Sequence, residues 1–291
     1  MVEELRQGKV GGMKTQAPES NAGNLDRQNE EFWDELCGSA LAQQHGLVGR
    51  DQQTLEAFDR VYLAYYPYLL SYVDRFHLAG RRVLEIGLGY GTLGQAIMRR
   101  GAEYHGLDIS PGPVSMMRHR LALGGAPNDE RIVQGSAAAI PFDDATFDYV
   151  YSIGCLHHTG ALARSIDEVH RVLVPGGYAV VMLYHQDSAR QLLRVRLPAV
   201  AARLRGRSGP SRNDVARMYD SNASGGAVPH TDFVSRQMAR DLFRRFSSVQ
   251  IDTRNFADLR IRGRRLVARQ RLLGSPLERW LGLDLYVVAR R

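Results

Sequence analysis

Lysine is nearly absent from this 291-residue chain: of 38 basic residues, all but Lys9 and Lys14 are arginine. GC-rich codon usage produces such a bias, so the net charge of +7 is weak support for a nucleic-acid partner. Cysteine is scarce too. Cys37 and Cys155 stand far apart and without metal-ligand spacing, which excludes a disulfide framework and fits reduced thiols in a cytoplasm. No cluster of His, Cys and Asp has the spacing of a metal site, which argues against metal-dependent chemistry. No apolar run approaches the roughly 20 residues of a membrane span. The opening stretch MVEELRQGKVGGMKTQAPESNAGN lacks the apolar segment of a secretion signal. The expectation is a cytoplasmic protein with no membrane partner. No internal repeat is evident. What is present is a hydrophobic fraction of 44%, enough for a full-sized core.

Along the chain the pattern changes in stages. Residues 1–28 are polar, rich in Gly, Asn and Gln, and are expected to be flexible. Residues 29–79 read as a helical cap. In it Leu55, Phe58, Tyr62, Tyr65 and Tyr66 recur at helical spacing, then Leu69, Tyr72, Val73 and Phe76, with Pro67 dividing the two runs. Residues 80–185 alternate short apolar strands, such as RRVLEIG and YAVVMLYH, with helical stretches such as TLGQAIMRRG. This alternation implies right-handed crossovers and a doubly wound, mostly parallel α/β sheet. Residues 186–230, with Pro198 and the segments RGRSGPSRND and SNASGGAVPH, read as a lid inserted over the strand ends. Residues 231–291 supply a helix capped by Thr231 or Asp232 and two closing strands, which bring the sheet to seven.

The stretch VLEIGLGYGTLG, residues 83–94, holds four glycines behind the first core strand. From Gly89 it reads G-x-G-x-x-G, a dinucleotide fingerprint; from Glu85 it reads E-x-G-x-G-x-G. Either loop brings backbone and a helix N-terminus up to a ligand, and Asp108, ending the next strand, would take ribose hydroxyls in both cases. Glu85 discriminates. A carboxylate inside a buried strand is costly when it faces no cation, and a dinucleotide offers none there. S-adenosylmethionine (SAM) carries an ammonium and a sulfonium.

VLEIGLGYG, GLDIS, QGSAAAIPFDDATFDYVYSIGCLHH and EVHRVLVPGGYAVVMLY follow one another over about residues 80–185. They resemble the successive motifs of class I SAM-dependent methyltransferases, whose core is Rossmann-like. FWDELCGS and MLYH further resemble a bacterial subgroup tied to specialised metabolism. The resemblance implies SAM as cofactor, with Gly87, Gly89 and Gly91 beside its methionine and ribose parts. It puts Glu85 at the ammonium, Asp108 on the ribose and Ile109 against the adenine. Ser136 stands where many relatives carry an Asp for the adenine amino group, which shifts that contact toward Ala137 and its neighbours. Ser152, on the fourth strand, completes the expected cofactor set.

The sulfonium is an activated methyl donor, so the protein's task is to align a nucleophile and take its proton. His157 and His158 follow the fourth strand at the ligand-binding edge of the sheet and are the candidate bases. Trp33, Tyr65, Tyr66, Tyr184 and His185 are candidate walls for the methyl acceptor. The expected activity is methyl transfer to oxygen, nitrogen or carbon of a small molecule, a specialised metabolite. The rivals are an RNA methyltransferase using the Arg-rich segment 190–271 and a SAM-binding regulatory protein without turnover. That segment has nineteen arginines against six aspartates. Arg236, Arg240 and Arg244, four residues apart, nevertheless read as a solvated helix face. Base-stacking aromatics are sparse there, so no specific nucleic acid is expected. A homo-oligomer is compatible with the sequence.

Overall fold

The computed structural model describes residues 19–35, 39–125, 130–222, 225–261 and 264–291; Cys37 lies outside the described residues. Its centre is β1 (Arg82–Ile86), where Val83, Leu84 and Ile86 are fully buried, each contributing about 1.5–3 kcal/mol by leaving water. Val83 packs on one face of the sheet with Tyr104 and Tyr151, while Leu84 and Ile86 pack on the other with Val150 and Val181. A strand buried on both faces needs parallel neighbours with helical crossovers, and it has them. The strands β2 (Glu103–Asp108), β3 (Ile132–Gln134), β4 (Phe147–Ile153) and β5 (Leu173–Tyr184) run parallel to it. The crossovers are α5 (Thr92–Met98), α6 (Pro111–Leu123) and α7 (Leu162–Val172). With β6 (Ser248–Arg254) and β9 (Asp284–Arg290) the sheet has seven strands in the order β3-β2-β1-β4-β5-β9-β6. Only β9 runs against the rest. The order reverses beside β1, which opens the crevice where doubly wound sheets bind ligands.

Four helices precede the sheet: α1 (Glu19–Trp33), α2 (Ser39–Gln44), α3 (Gln52–Tyr65) and α4 (Leu69–Asp74). Pro67 separates α3 from α4, as its missing N–H dictates. After β5 come α8 (Ala189–Gln191), a π turn (Leu192–Arg196), α9 (Leu197–Leu204) and α10 (Arg212–Tyr219), within the segment that the sequence reads as a lid. The remaining elements are α11 (Arg236–Leu242), the hairpin β7 (Leu259–Ile261) and β8 (Arg264–Val267), α12 (Arg269–Leu272) and α13 (Pro276–Leu281).

The structure departs from the sequence reading in three places. Residues 19–28 are helical, although their composition reads as loose chain. The helix gains its hold through long-range contacts made by Leu25, Asn29 and Trp33, described below. α11 is capped by Ser235, whose Oγ accepts from the Met238 amide at 3.1 Å, and not by Thr231 or Asp232. The amides of Asp232 and Val234 are already engaged with the carbonyls of His157 and Tyr184 at 2.8 and 2.9 Å. Finally, Arg236 is no solvated stripe residue. Its guanidinium donates to the Ile251 and Arg279 carbonyls and to the Thr253 hydroxyl, so it ties α11 to β6 and α13.

Candidate active site

β1 ends in a loop that must turn sharply and pass close to the loop after β4. Gly87 makes both possible: its φ is +85°, and a Cβ there would lie 2.5 Å from the Cys155 Cβ. The loop opens into a cavity of about 1040 Å³, open mouth included. Three carboxylates line it, Asp26 from α1 and two from the sheet. Glu85, buried in β1, accepts a short hydrogen bond from the Tyr104 hydroxyl. Burial pushes its pKa up to about 8, with Tyr104 and Arg120 pulling the other way. Asp108, ending β2, accepts from the Leu88 amide through Oδ2 at 2.7 Å and from the Ser110 amide through Oδ1 at 3.0 Å. Burial raises it to about 6 despite these donors. Among the described residues neither Glu85 nor Asp108 has an ion-pair partner.

The cavity gathers most of the expected cofactor residues. Glu85, Gly87, Gly89, Asp108, Ile109, Ser136 and Ala137 all line it. Two do not. Ser152 is buried in β4, where its hydroxyl donates to the Ile86 carbonyl at 3.1 Å and ties β4 to β1. Gly91 is turned away: a Cβ on it would lie 2.8 Å from Arg120 Cδ, so it is glycine to admit that arginine and to adopt φ +77° at the start of α5.

α1 lies across the cavity like a strap, and the sequence reading missed two of its contributions. Asp26 and Asn29 both line the cavity. Asn29 Nδ2 donates to the His158 carbonyl at 2.9 Å, while its buried Oδ1 has no hydrogen-bond partner. At one end Leu25 packs against Gly160, where any side chain would collide with it. At the other, Asp34 accepts from the Gly112 amide at 2.6 Å, and the Ser110 hydroxyl donates to the Glu30 carbonyl at 3.0 Å. The spacing of Leu25, Asn29, Phe32 and Trp33 was a helical signal, diluted by the polar residues between them.

Trp33, Tyr62, Leu69, Ile153 and His158 also line the cavity. The Trp33 ring lies 4.8 Å from that of His158. His158 Nδ1 faces the His230 carbonyl at 2.8 Å, so in the neutral ring Nδ1 carries the proton and Nε2 is a bare acceptor. Nε2 is buried without a hydrogen-bond partner, and Asp220 Oδ2 stands 3.7 Å away. Burial lowers the His158 pKa, and the Asp220 charge opposes that. Tyr184 completes the group by donating to Asp220 at 3.0 Å. A buried, neutral imidazole with a carboxylate behind it can take a proton and hold the resulting charge.

The other candidates are placed elsewhere. His157 is fully buried outside the cavity lining, between the rings of His158 and Tyr184 at 4.2 and 4.1 Å. Burial holds its pKa well below the usual imidazole range. His185 is buried with Nδ1 2.9 Å from the Gly282 carbonyl, and joins β5 to the turn before β9. Tyr65 is exposed beneath the Arg269 guanidinium at 4.1 Å, and Tyr66 packs edge-on against it. Tyr184 reaches the site through Asp220 and is not part of the cavity wall. These residues sit at the expected edge of the fold, but packing turns them into supports.

Residues 84–181 match the family described as "Methyltransferase domain". A phthiotriol/phenolphthiotriol dimycocerosates methyltransferase of Mycobacterium leprae is 34% identical over 127 residues, covering 43% of this chain and 45% of that protein. A ubiquinone biosynthesis O-methyltransferase of Pseudomonas aeruginosa is 32% identical over 132 residues, covering 44% and 56%. The chain thus matches about half the length of these curated relatives. Among solved structures, a chain of the complex between the Haloferax volcanii Trm112 methyltransferase activator and the putative methyltransferase superposes with a TM-score of 0.50. It is 17% identical and covers 83% of this chain and 95% of that one, a likeness of fold.

Proposed function

We propose that this chain, which carries a class I SAM-dependent methyltransferase core, moves the methyl group of SAM onto a hydroxyl oxygen of a small molecule. The observation that carries the reading is the pair of buried carboxylates, Glu85 and Asp108, on either side of the Gly87 loop in one cavity. SAM supplies a methyl group on a positively charged sulfur, which leaves with its bonding electrons on the sulfur as the new O–CH₃ bond forms. Glu85 holds the ammonium end, Asp108 the ribose hydroxyls, and Ile109, Ser136 and Ala137 the adenine. The strap α1 closes over the ligand and excludes water. His158 Nε2 accepts the acceptor's hydroxyl proton, and Asp220 stabilises the imidazolium. Oxygen is favoured over nitrogen because a hydroxyl is a poor nucleophile until a base takes its proton, whereas a neutral amine attacks through its lone pair without one. The names of both relatives also point to small molecules, and the second to an oxygen. A small molecule of specialised metabolism suits this site better than RNA, since the cavity is enclosed by α1 on the side a polymer would need open.

Asp108→Ala is expected to weaken SAM binding roughly tenfold to a hundredfold, the worth of about 1.5–3 kcal/mol of hydrogen bonding to a charged group. Calorimetry showing unchanged SAM affinity, or tighter binding of NADH than of SAM, overturns the cofactor assignment.

Glu85 adds a pH dependence. A cation binds the ionised carboxylate, whose pKa in the free protein is near 8. Below that pH a growing fraction of Glu85 is protonated, and binding must expel the proton. SAM affinity is therefore expected to fall as the pH is lowered from about 8 to 6, by at most about tenfold per pH unit. Glu85→Gln flattens that profile. Titrations in buffers of different ionisation heat should show proton release by the wild type; a flat profile there removes Glu85 from the ammonium site.

A further inference from the structure

The lid turns an unusual surface to solvent. Over the π turn and α9, Leu193, Leu197, Val200 and Leu204 are 50%, 51%, 57% and 84% exposed. Their spacing lines them up on one side of the helical run, over about 16 Å at the rise of a helix. Val195, Ala199 and Ala202 are half-buried on the opposite side, which is the one that faces the protein. At 100° per residue, Arg194 and Arg205 border the leucine stripe on one edge and Arg203 on the other, where Arg196 is engaged by Asp187 at 2.7 Å. No acidic residue occurs from Ser188 to Asn213.

We propose that this stripe docks the protein onto the surface of an anionic lipid bilayer. A continuous apolar stripe left in water marks an interaction surface. A leucine stripe edged by cations on both sides fits the plane between headgroups and acyl chains: the leucines enter, and the arginines spread to the phosphates. Charge decides against a second copy of the chain. An isologous contact would bring this patch onto itself and set arginine against arginine. RNA fits the arginines but leaves the leucines uncovered. No helix among the described residues is long and apolar enough to cross a membrane, so the contact lies in the interface. The sequence reading, which expected no membrane partner, sees arginine bias and no long apolar run. Only the observed exposure of the four apolar residues separates a binding stripe from a core face. The proposal is independent of the methyl-transfer reading.

The test is flotation of the full chain with phosphatidylcholine vesicles, with and without phosphatidylglycerol, at low salt. The wild type is expected to float with the anionic vesicles and to stay behind with the neutral ones. Arg194→Glu with Arg205→Glu should cut partitioning roughly tenfold or more, since each cation near such a surface is worth about a factor of five. Leu197→Ser with Leu204→Ser should cut it by a similar factor through lost apolar insertion. Both double variants should melt with the wild type, because the altered side chains face solvent. No flotation of the wild type with anionic vesicles overturns the proposal, as does flotation of both variants at the wild-type level. A wild-type dimer that Leu197→Ser with Leu204→Ser dissociates, without vesicle binding, assigns the stripe to a second copy instead.

Discussion

His158→Ala is expected to lower kcat by about 10²–10⁴-fold, the usual worth of a positioned base, and to leave SAM affinity near the wild-type value. The separation follows from the geometry. In the proposed mechanism His158 acts on the acceptor from the loop after β4, while Glu85 and Asp108 act on the cofactor from β1 and β2. The strap survives too, because Asn29 grips the His158 backbone carbonyl and not its ring. His157→Ala serves as the contrast: the ring is buried outside the cavity lining, so its loss should cost stability while kcat in the folded enzyme is largely retained. The pH profile carries the sign. The base works as neutral imidazole, and burial lowers its pKa below the usual value near 6.5. At saturating SAM, kcat should therefore hold down to below pH 6.5 and fall only as His158 is protonated. Asp220→Asn removes the charge that favours imidazolium, so the acid limb should move to still lower pH while kcat drops. Steady-state kinetics across pH with a turned-over acceptor measures all of this. Full activity in His158→Ala, with an unchanged acid limb, would mean that alignment of the acceptor alone carries the reaction.

The legible part of this site is the part that depends on chain neighbours. Glu85, Gly87, Gly89, Asp108, Ile109, Ser136 and Ala137 each sit at or just past the end of a strand of the parallel core, and strand ends are fixed by the local alternation of apolar runs and helices. Their presence around one cavity follows from the order of strands. The residues misread are those whose role is set by packing between distant elements. His157 and His158 are adjacent in sequence and both follow β4, yet a single 3₁₀ turn buries one ring and gives the other to the cavity. Gly91 belongs to the motif, but its missing side chain makes room for Arg120, which lies far along the sequence in α6. Asn29 and Asp220 come from the two ends of the chain's cap and lid, and nothing in their own neighbourhoods announces a partner. α1 shows the same limit from the other side. Its polar composition suggests loose chain, and it is ordered by contacts with Ser110, Gly112 and Gly160 that no local pattern encodes.

Breaking the ion pair of Asp59 with Arg120 is expected to destabilise the protein by about 3–5 kcal/mol, because the charge left behind stays buried. Both side chains are almost inaccessible, and they meet through two hydrogen bonds of 2.9 and 3.0 Å. Asp59 Oδ1 also accepts from the Thr92 hydroxyl at 2.6 Å, and Arg120 Nε donates to the Tyr90 carbonyl. The pair thus clamps the end of the glycine loop between α3 of the cap and α6 of the core. Phe58, next to Asp59, stacks on the Tyr90 ring at 4.2 Å and presses on the same loop. Asp59→Ala strands the guanidinium and frees the Thr92 hydroxyl, so it should lose the full amount and lower the melting temperature by roughly 10 °C. A double change to apolar residues of similar volume, Asp59→Leu with Arg120→Met, should recover most of that stability, as replacements of buried pairs generally do. It should not recover SAM affinity, because nothing then holds the Tyr90 carbonyl and the loop is free to shift. Denaturant unfolding combined with calorimetry separates the two effects. If Asp59→Ala unfolds within about 1 kcal/mol of the wild type, the pair is solvated in solution and does not clamp the loop. If the double variant binds SAM as tightly as the wild type, the loop holds its shape without the clamp, and the glycines and Asp108 alone set the cofactor site.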